Sequence, residues 1–248
     1  MPRDLIHYFD TIDSTNTRAR AMAAQGAPAG TVLIADHQTG GRGRLGRTFF
    51  SPAGTGIYMS VILRPDCPPA QLMHLTCAAA VAACDAVEQA TGLRPGIKWT
   101  NDLVYGSRKL AGILTELGLS PRGTVDWAVI GIGINCHQKP EDFDPAIRAF
   151  AGSLGMFVPC DRARVAAALA NALTGLDLSR KDEILTRYRA DCITLGREVS
   201  LVRGEEPPRH GRAVDIDGDG ALIVEFAPGI RETVNSGEIS IRGMYGYV

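Results

Sequence analysis

The chain has 248 residues, of which 45% are hydrophobic and 21% are charged. This composition is typical of a globular protein and excludes a disordered, collagenous or coiled-coil chain. The formal net charge of -1 provides no global positive field that could hold a nucleic acid by charge alone, so nucleic-acid binding is disfavoured.

The sequence predicts neither export nor a membrane span. Arg3, Asp4 and His7 interrupt the N-terminus, which therefore lacks the apolar run of a signal peptide. The longest weakly polar stretch ends at Asp85, far short of the ~20 residues that a membrane span needs. Six cysteines and five histidines show no C-x-x-C or H-x-x-x-H spacing, which predicts no structural metal site and no disulfide framework. We therefore expect a cytoplasmic protein with reduced, buried thiols.

Hydrophobic patterning and capping residues predict the elements of the first half of the chain. Alternation at 5–9 predicts a short strand, and Asp13-Ser14-Thr15 supplies side-chain caps for a helix that ends near Gly26. A Gly/Arg loop at 39–51 separates two further strands. The remaining predicted elements are strands at 31–38 and 56–63 and a long alanine-rich helix at 68–91, which places Cys77 and Cys84 on one buried face.

In the second half, strands near 97–105, 109–117 and 125–135 are separated by short turns, which predicts antiparallel pairing. Helices follow at 161–174 and 180–191, and then come four short alternating runs, at 198–202, 211–216, 221–226 and 238–241. The fold class is therefore α+β, with one domain over residues 1–195 and a small all-β barrel over residues 196–248.

The Gly/Arg loop contains Gly41-Arg42-Gly43-Arg44-Leu45-Gly46-Arg47, which spells G-x-G-x-x-G. A dinucleotide site requires a helix after such a loop, whereas a strand follows here, and no Gly-Lys dipeptide exists for a P-loop. Backbone amides and guanidinium groups of this loop favour an anionic ligand with phosphate oxygens. A mobile solvated loop and an RNA-binding segment are the alternatives.

Two further segments add to a local positive charge. Residues 98–109 and residues 31–60 each carry a net charge of +2, which favours a pocket for a polyphosphate over merely exposed strand ends. The segment 131–135 (Gly-Ile-Gly-Ile-Asn) ends a buried strand, where glycine indicates either close approach of a flat group to the backbone or a bulge. For residues 13–16, helix capping ranks above ligand binding on the residues alone.

These segments, taken together and in this order, resemble the biotin protein ligases nearly from end to end. These enzymes form biotinyl-adenylate and pass biotin to a lysine of a carrier protein. The matching words are Asp13-Ser14-Thr15-Asn16, Gln38 with the loop 41–47, Lys98-Trp99-Thr100-Asn101-Asp102, Arg108-Lys109-Leu110-Ala111-Gly112-Ile113-Leu114 and Gly131-Ile132-Gly133-Ile134-Asn135.

The resemblance implies a catalytic domain like that of class II tRNA synthetases, with a mixed, largely antiparallel sheet, and an SH3-like C-terminal barrel. It implies ATP, Mg²⁺ and biotin as ligands, and a biotin carboxyl carrier protein of acetyl-CoA carboxylase or a related carboxylase as partner. The implied biotin-binding residues are Ser14, Thr15, Asn16, Gln38, Arg42, Gly43, Arg44, Lys109, Gly112 and Leu114. The implied ATP or phosphate residues are Gly41, Arg47, Lys98, Asn101 and Asn135.

We expect Lys109, Arg44 and Asp102 to be the catalytic residues. Lys109 would meet the biotin carboxylate, and Arg44 would close the loop over the reactive adenylate. Asp102 is the carboxylate nearest in sequence to these groups, and we expect it to act as a base or to orient the acceptor amine. The sequence departs from the family at Thr100, usually proline, and at Phe49, where some members carry tryptophan.

The first motif begins at Asp13, so we predict a short form that lacks an N-terminal DNA-binding domain and does not bind DNA. We also predict no membrane association, and a monomer or homodimer. A lipoate or octanoate ligase or transferase of the same fold is the nearest rival, although the polar set Ser14, Thr15 and Gln38 favours a ureido ring. An RNA-binding module is the rival from another class, but residues 196–248 carry a net charge of -3.

Overall fold

The computed structural model describes residues 3–202, 207–235 and 240–243. The helices are α1 (Thr15–Ala24), α2 (Leu75–Thr91), α3 (Arg162–Thr174) and α4 (Lys181–Asp191). The strands of the first sheet are β1 (Ile6–Ile12), β2 (Val32–Gln38), β3 (Gly56–Leu63), β4 (Gly96–Lys98), β5 (Asp102–Tyr105), β6 (Arg108–Leu119) and β7 (Val125–Asn135). The strands of the second sheet are β8 (Glu198–Val202), β9 (Arg209–Ile216), β10 (Leu222–Ala227), β11 (Ile230–Val234) and β12 (Ser240–Gly243).

The first sheet is mixed and largely antiparallel, as the sequence predicts. Its strand order is β1-β2-β3-β7-β6-β5-β4. Only the β1–β2 pair is parallel, because the crossover through α1 returns the chain to the end of the sheet at which β1 began. Helix α1 packs on one face against β3 and β7, while α2 and α3 cover the other face. Strand β3, which lies between β2 and β7, is consequently buried along nearly its whole length.

The second sheet is antiparallel, with the order β11-β10-β9-β8-β12. Apolar residues of β8, β9 and β10 belong to the same hydrophobic core as α2 and the first sheet. The sequence did not predict β11, because its residues Ile-Arg-Glu-Thr-Val are mostly polar and only pairing with β10 makes them a strand. The predicted strand at 238–241 lies partly outside the described residues, and β12 begins at Ser240. The boundary near residue 195 stays a prediction.

Two predicted boundaries are wrong. The segment 97–105 is not one strand, because β4 and β5 form a hairpin around residues 99–101. That turn is held by the C-terminal part of the chain: Trp99 Nε1 donates to the Gly220 carbonyl at 2.9 Å, and the Tyr188 hydroxyl donates to the Thr100 carbonyl at 3.0 Å. The long helix begins at Leu75, after a separate 3-10 turn at Pro69–Leu72.

The alanine-rich helix is a core element. Pro69–Thr91 is long and apolar enough to cross a membrane by length and composition, but 72% of its most apolar window is buried inside the protein. Cys77 and Cys84 lie on the buried face, as predicted, and burial raises the pKa of Cys77 to about 12. All six cysteines are free thiols, four of them buried.

We expect Trp99→Phe to lower the free energy of unfolding by about 1–3 kcal/mol, because it leaves the buried Gly220 carbonyl without its donor. Urea denaturation followed by circular dichroism measures this loss. Trp127→Phe is the matched control, since that indole is only half-buried and packs against Gly118. Equal losses in the two variants would contradict the assignment of the Trp99 hydrogen bond as an anchor of the turn.

Candidate active site

A cavity of about 200 Å³ opens on the face of the first sheet that carries α1. Its walls come from the start of α1, the end of β2, the Gly/Arg loop, the β4–β5 turn and the strands β6 and β7. The structure thus brings together segments that are up to about a hundred residues apart. The predicted site residues that line it are Ser14, Thr15, Asn16, Gln38, Arg42, Gly43, Arg44, Arg47, Lys98, Asn101, Asp102, Lys109, Gly112 and Leu114.

The start of α1 forms a polar wall, but not through the capping that the sequence predicts. Ser14 occupies the N-cap position, yet its side chain makes no hydrogen bond to the first turn. Instead, the Gln38 carboxamide oxygen accepts from the Thr15 backbone amide at 2.8 Å and from the Thr15 hydroxyl at 3.1 Å. A residue of β2 therefore satisfies the helix start, and Ser14, which lines the cavity, is not used as a cap.

A buried hydrogen-bond network fixes this wall. Ser60 Oγ donates to Asn16 Oδ1 at 2.6 Å and lies 2.8 Å from Thr15 Oγ1. On the other side, Gln38 Nε2 donates to Ser51 Oγ at 2.9 Å. Sequence reasoning missed Ser51 and Ser60, because nothing in their local pattern distinguishes them from ordinary strand and loop serines.

The two glycines of β7 leave room for two side chains. A Cβ at Gly131 would lie 1.8 Å from Asn16 Oδ1, and one at Gly133 would lie 2.3 Å from Phe49 Cε1. Pairing of β7 with β3 and β6 shows no register shift at either glycine, so the alternative of a bulge is wrong. Close approach is the explanation, with an amide at the first position and an aromatic ring at the second.

Lys98, Asp102 and Lys109 form a charged cluster on the opposite wall. Lys109 Nζ lies 2.7 Å from Asp102 Oδ1, while Lys98 ends β4 and is buried. Burial lowers the pKa of Lys98 to about 8, an effect that Asp102 opposes and Lys109 reinforces. The wall therefore carries an excess of positive charge in a partly desolvated place, which suits an anion.

The Gly/Arg loop folds over the cavity as an ordered turn. Gly43 N donates to the Arg47 carbonyl at 2.7 Å, and Leu45 and Gly46 both adopt left-handed backbone conformations. Arg44 Nη1 donates to Asn101 Oδ1 at 2.8 Å across the cavity, and burial lowers the pKa of its guanidinium. The loop is thus held by specific side chains, rather than being a freely solvated segment.

Gly41 and Asn135 lie outside the cavity wall. A Cβ at Gly41 would lie 2.3 Å from the Phe49 carbonyl oxygen, which explains the glycine by packing. The Asn135 amide donates to the Gly152 carbonyl at 2.9 Å and accepts from Gln138 at 3.2 Å. The structure therefore gives both residues local structural contacts, and does not bring them together with the other predicted nucleotide-binding residues.

Glu116 is a charged residue of the site region that sequence reasoning missed. Its carboxylate accepts from Arg42, Arg20 and Asn16, at distances of 3.0 to 3.3 Å. Glu116 lies on β6 two residues after the Lys-Leu-Ala-Gly-Ile-Leu motif, and this position next to a family motif is the sequence feature that could have identified it.

In the part of the chain that the structure describes, no group of three or more His, Cys, Asp or Glu side chains is placed to hold a metal ion.

Two family models match the chain. Residues 8–135 match the Biotin/lipoate A/B protein ligase family, and residues 194–242 match the Biotin protein ligase C terminal domain. The first match contains the predicted site segments from α1 to β7, and the second contains the second sheet except for its last residue, Gly243. These matches agree with the resemblance that the motifs imply.

Curated relatives and solved structures give the same result. The chain is 36% identical over 234 residues to the "Biotin--[acetyl-CoA-carboxylase] ligase" of Mycobacterium tuberculosis, covering 91% of this chain and 85% of that protein. It is 35% identical over 233 residues to the "Bifunctional ligase/repressor BirA" of Bacillus subtilis, covering 91% of this chain and 70% of that protein.

Among solved structures, the biotin protein ligase of Aquifex aeolicus in complex with biotin and ATP superimposes with a TM-score of 0.79 at 28% identity. The match covers 96% of this chain and 99% of that one, so it includes both sheets. Sequence motifs, cavity, family models and overall fold agree, and the chain belongs to the Biotin/lipoate A/B protein ligase family, within its biotin protein ligases.

Proposed function

We propose that the chain is an ATP-dependent biotin protein ligase. It activates biotin as biotinyl-5′-AMP with release of pyrophosphate, and then transfers biotin to a lysine of a biotin carboxyl carrier protein. The observation that carries this proposal is a single cavity with hydrogen-bonding side chains on one wall and the Lys98–Asp102–Lys109 cluster on another. Such a cavity accommodates a polar ring and a reacting carboxylate together.

The polar wall suits the ureido ring of biotin. A ureido group offers one carbonyl acceptor and two N–H donors, and hydroxyl and carboxamide groups at Ser14, Thr15, Asn16 and Gln38 provide partners of both kinds. Thr15, Asn16 and Gln38 are already bonded within the wall, so a linear acyl chain would chiefly leave the Ser14 hydroxyl, which caps no backbone amide, without a partner, and this disfavours it. Beside this wall, Gly112 and Leu114 on β6 provide surface for the valeryl chain.

The cationic wall suits adenylation. A carboxylate becomes transferable when it attacks the α-phosphate of ATP, forming a mixed anhydride and expelling pyrophosphate. Negative charge grows on the α-phosphate and on pyrophosphate, and cations fixed before the reaction stabilise it. Lys109, Lys98 and Arg44 line the same cavity, and we assign Lys109 to the biotin carboxylate and Lys98 to the phosphates.

Mg²⁺ is proposed to enter with ATP. The phosphates of ATP would coordinate the ion, since the described residues include no group of three or more His, Cys, Asp or Glu side chains that would hold it without ATP. The ion supplies charge neutralisation at the phosphates. In the second half-reaction, the acceptor lysine must lose a proton before it opens the anhydride, and we assign Asp102 to orienting or deprotonating that amine.

We propose the carrier protein of acetyl-CoA carboxylase as the acceptor, because the Mycobacterium tuberculosis relative is named for that substrate. Cytoplasmic location, a monomer or homodimer, and the absence of DNA and membrane binding stay predictions.

Mass spectrometry of the adenylate tests the substrate. The purified protein is incubated with Mg·ATP and an equimolar mixture of biotin, lipoate and octanoate. A biotinyl-5′-AMP peak alone is the expected result. A lipoyl or octanoyl adenylate would instead favour the second candidate, a lipoate or octanoate ligase. This candidate is considered because the matched family includes both biotin and lipoate ligases. Absence of any adenylate would contradict both.

The lowered pKa of Lys98 predicts a pH-dependent affinity for ATP. As the pH rises through about 8, the unliganded lysine loses its proton and its attraction for phosphate. ATP affinity is expected to fall about tenfold between pH 7 and pH 9, whereas an ordinary lysine with a pKa of about 10.4 would keep its charge. Calorimetric titration of Mg·ATP without biotin measures this. Lys98→Gln is expected to bind more weakly at pH 7 and to lose the dependence near pH 8; a flat wild-type profile would contradict the assignment.

Arg44→Ala is expected to release free biotinyl-5′-AMP about tenfold faster, because the loop loses its contact with Asn101 across the cavity. Rapid filtration after a single turnover with labelled biotin measures the release. Arg122→Ala, in the exposed hairpin turn between β6 and β7, is the matched control and should retain the adenylate. Retention in the Arg44 variant would refute the role in covering the intermediate.

A further inference from the structure

Glu116 connects three parts of the site through one carboxylate. It lies on β6 two residues beyond Leu114, and only 17% of its side chain is exposed. Its Oε1 accepts from Arg20 Nη1 of α1 at 3.0 Å and from Arg42 Nη1 of the Gly/Arg loop at 3.1 Å. Its Oε2 accepts from Asn16 Nδ2 at 3.0 Å. Each of these donors to the carboxylate lies on α1 or on the Gly/Arg loop.

The partners of Glu116 differ in how firmly they are held. Asn16 is buried, it is also bonded to Ser60 and the Leu114 carbonyl, and Gly131 makes room for it. Arg42 is exposed and belongs to a loop with little regular secondary structure. The Glu116 carboxylate, on the first sheet, bonds both the fixed Asn16 amide and the Arg42 guanidinium. It therefore holds the loop in a defined position relative to the sheet.

The loop has a second attachment on the far side of the cavity. Arg44 bonds Asn101 in the β4–β5 turn, whereas Arg42 bonds Glu116 on β6, and these arginines are only two residues apart. The loop therefore crosses the cavity between two anchors on different elements of the first sheet. Loss of either anchor leaves the loop attached at one side only.

We infer that Glu116 is a positioning residue, which holds the Gly/Arg loop over the ligand by pairing with Arg42 while it orients Asn16 in the ring-binding wall. The inference deepens the proposed function and rests on it for the identity of the ligand. Glu116 touches neither reacting group. It acts through Arg42 and Asn16, so its removal should loosen the cover without removing a cation from the phosphate side of the cavity.

Hydrogen exchange of the unliganded protein tests the anchor without any enzymatic readout. In Glu116→Gln, which keeps the size and loses the charge, peptides covering residues 40–48 should exchange about tenfold faster than in wild type. Peptides covering β3 and β7 should be unchanged. Because the anchor is an ion pair with an exposed arginine, 1 M NaCl should speed loop exchange in wild type and have little effect in the variant. Unchanged loop exchange in Glu116→Gln would overturn the inference.

Two further variants separate anchoring from general stability. Arg20→Gln removes a partner of the same carboxylate that lies on α1 and outside the loop, so loop exchange should stay as in wild type. Loosening equal to that of Glu116→Gln would indicate a merely structural carboxylate. Arg42→Gln should speed loop exchange as much as Glu116→Gln, and the double variant should exchange no faster than either single variant; additive effects would contradict a direct contact.

Release of biotinyl-5′-AMP then links the anchor to the proposed reaction. Glu116→Gln should release the intermediate several-fold faster while wild type and Arg20→Gln retain it. If wild type makes no adenylate at all, the proposed function fails, whereas the exchange result for the loop still decides the role of Glu116. Faster loop exchange combined with unchanged release would overturn the claim that the anchor covers the ligand.

Discussion

The close approach of side chains to the backbone of β7 is the constraint on which the site depends. Gly131 and Gly133 lie on the central strand of the first sheet, and any side chain there would overlap Asn16 or Phe49. Removing two side chains from a buried strand weakens its packing, and the sheet compensates through uninterrupted pairing on both sides of β7. The result is a depression in the surface of the sheet, against which the Asn16 side chain and the Phe49 ring pack.

Electrostatics then divides this depression into two walls of different character. The wall at α1 is neutral and bonded internally, with Gln38 satisfying the helix start and leaving Ser14 out of the capping. The opposite wall gathers lysines around Asp102, and burial lowers the pKa of Lys98. A ligand with a polar ring at one end and a carboxylate at the other matches this division. The ring meets neutral hydrogen-bonding groups and the carboxylate meets cations, which replace the water that each end loses on binding.

Helix α4 and the turn between β9 and β10 contribute to the site from a distance. Trp99 and Thr100 lie in the turn that presents Asn101 and Asp102, and both are held by residues beyond 185 through Gly220 and Tyr188. Because these contacts are buried, the C-terminal part of the chain fixes where the charged turn stands relative to β6. Threonine at position 100 keeps the backbone carbonyl that Tyr188 bonds, so the departure from the proline of the family preserves this anchor.

By itself, the sequence determined the family, the mixed sheet followed by a small β unit, and most of the residues that line the cavity. It could do so because the chemistry of short motifs such as the Gly/Arg loop depends on local composition. It also indicated close approach at Gly131 and Gly133 without identifying what approaches. Only the tertiary structure decided that Gln38 rather than Ser14 satisfies the start of α1, that Gly41 and Asn135 stand outside the cavity, and that Glu116, Ser51 and Ser60 support it. The physical reason is that these contacts join segments far apart in the chain, so no local pattern of residues specifies which polar groups will meet once the sheet is formed.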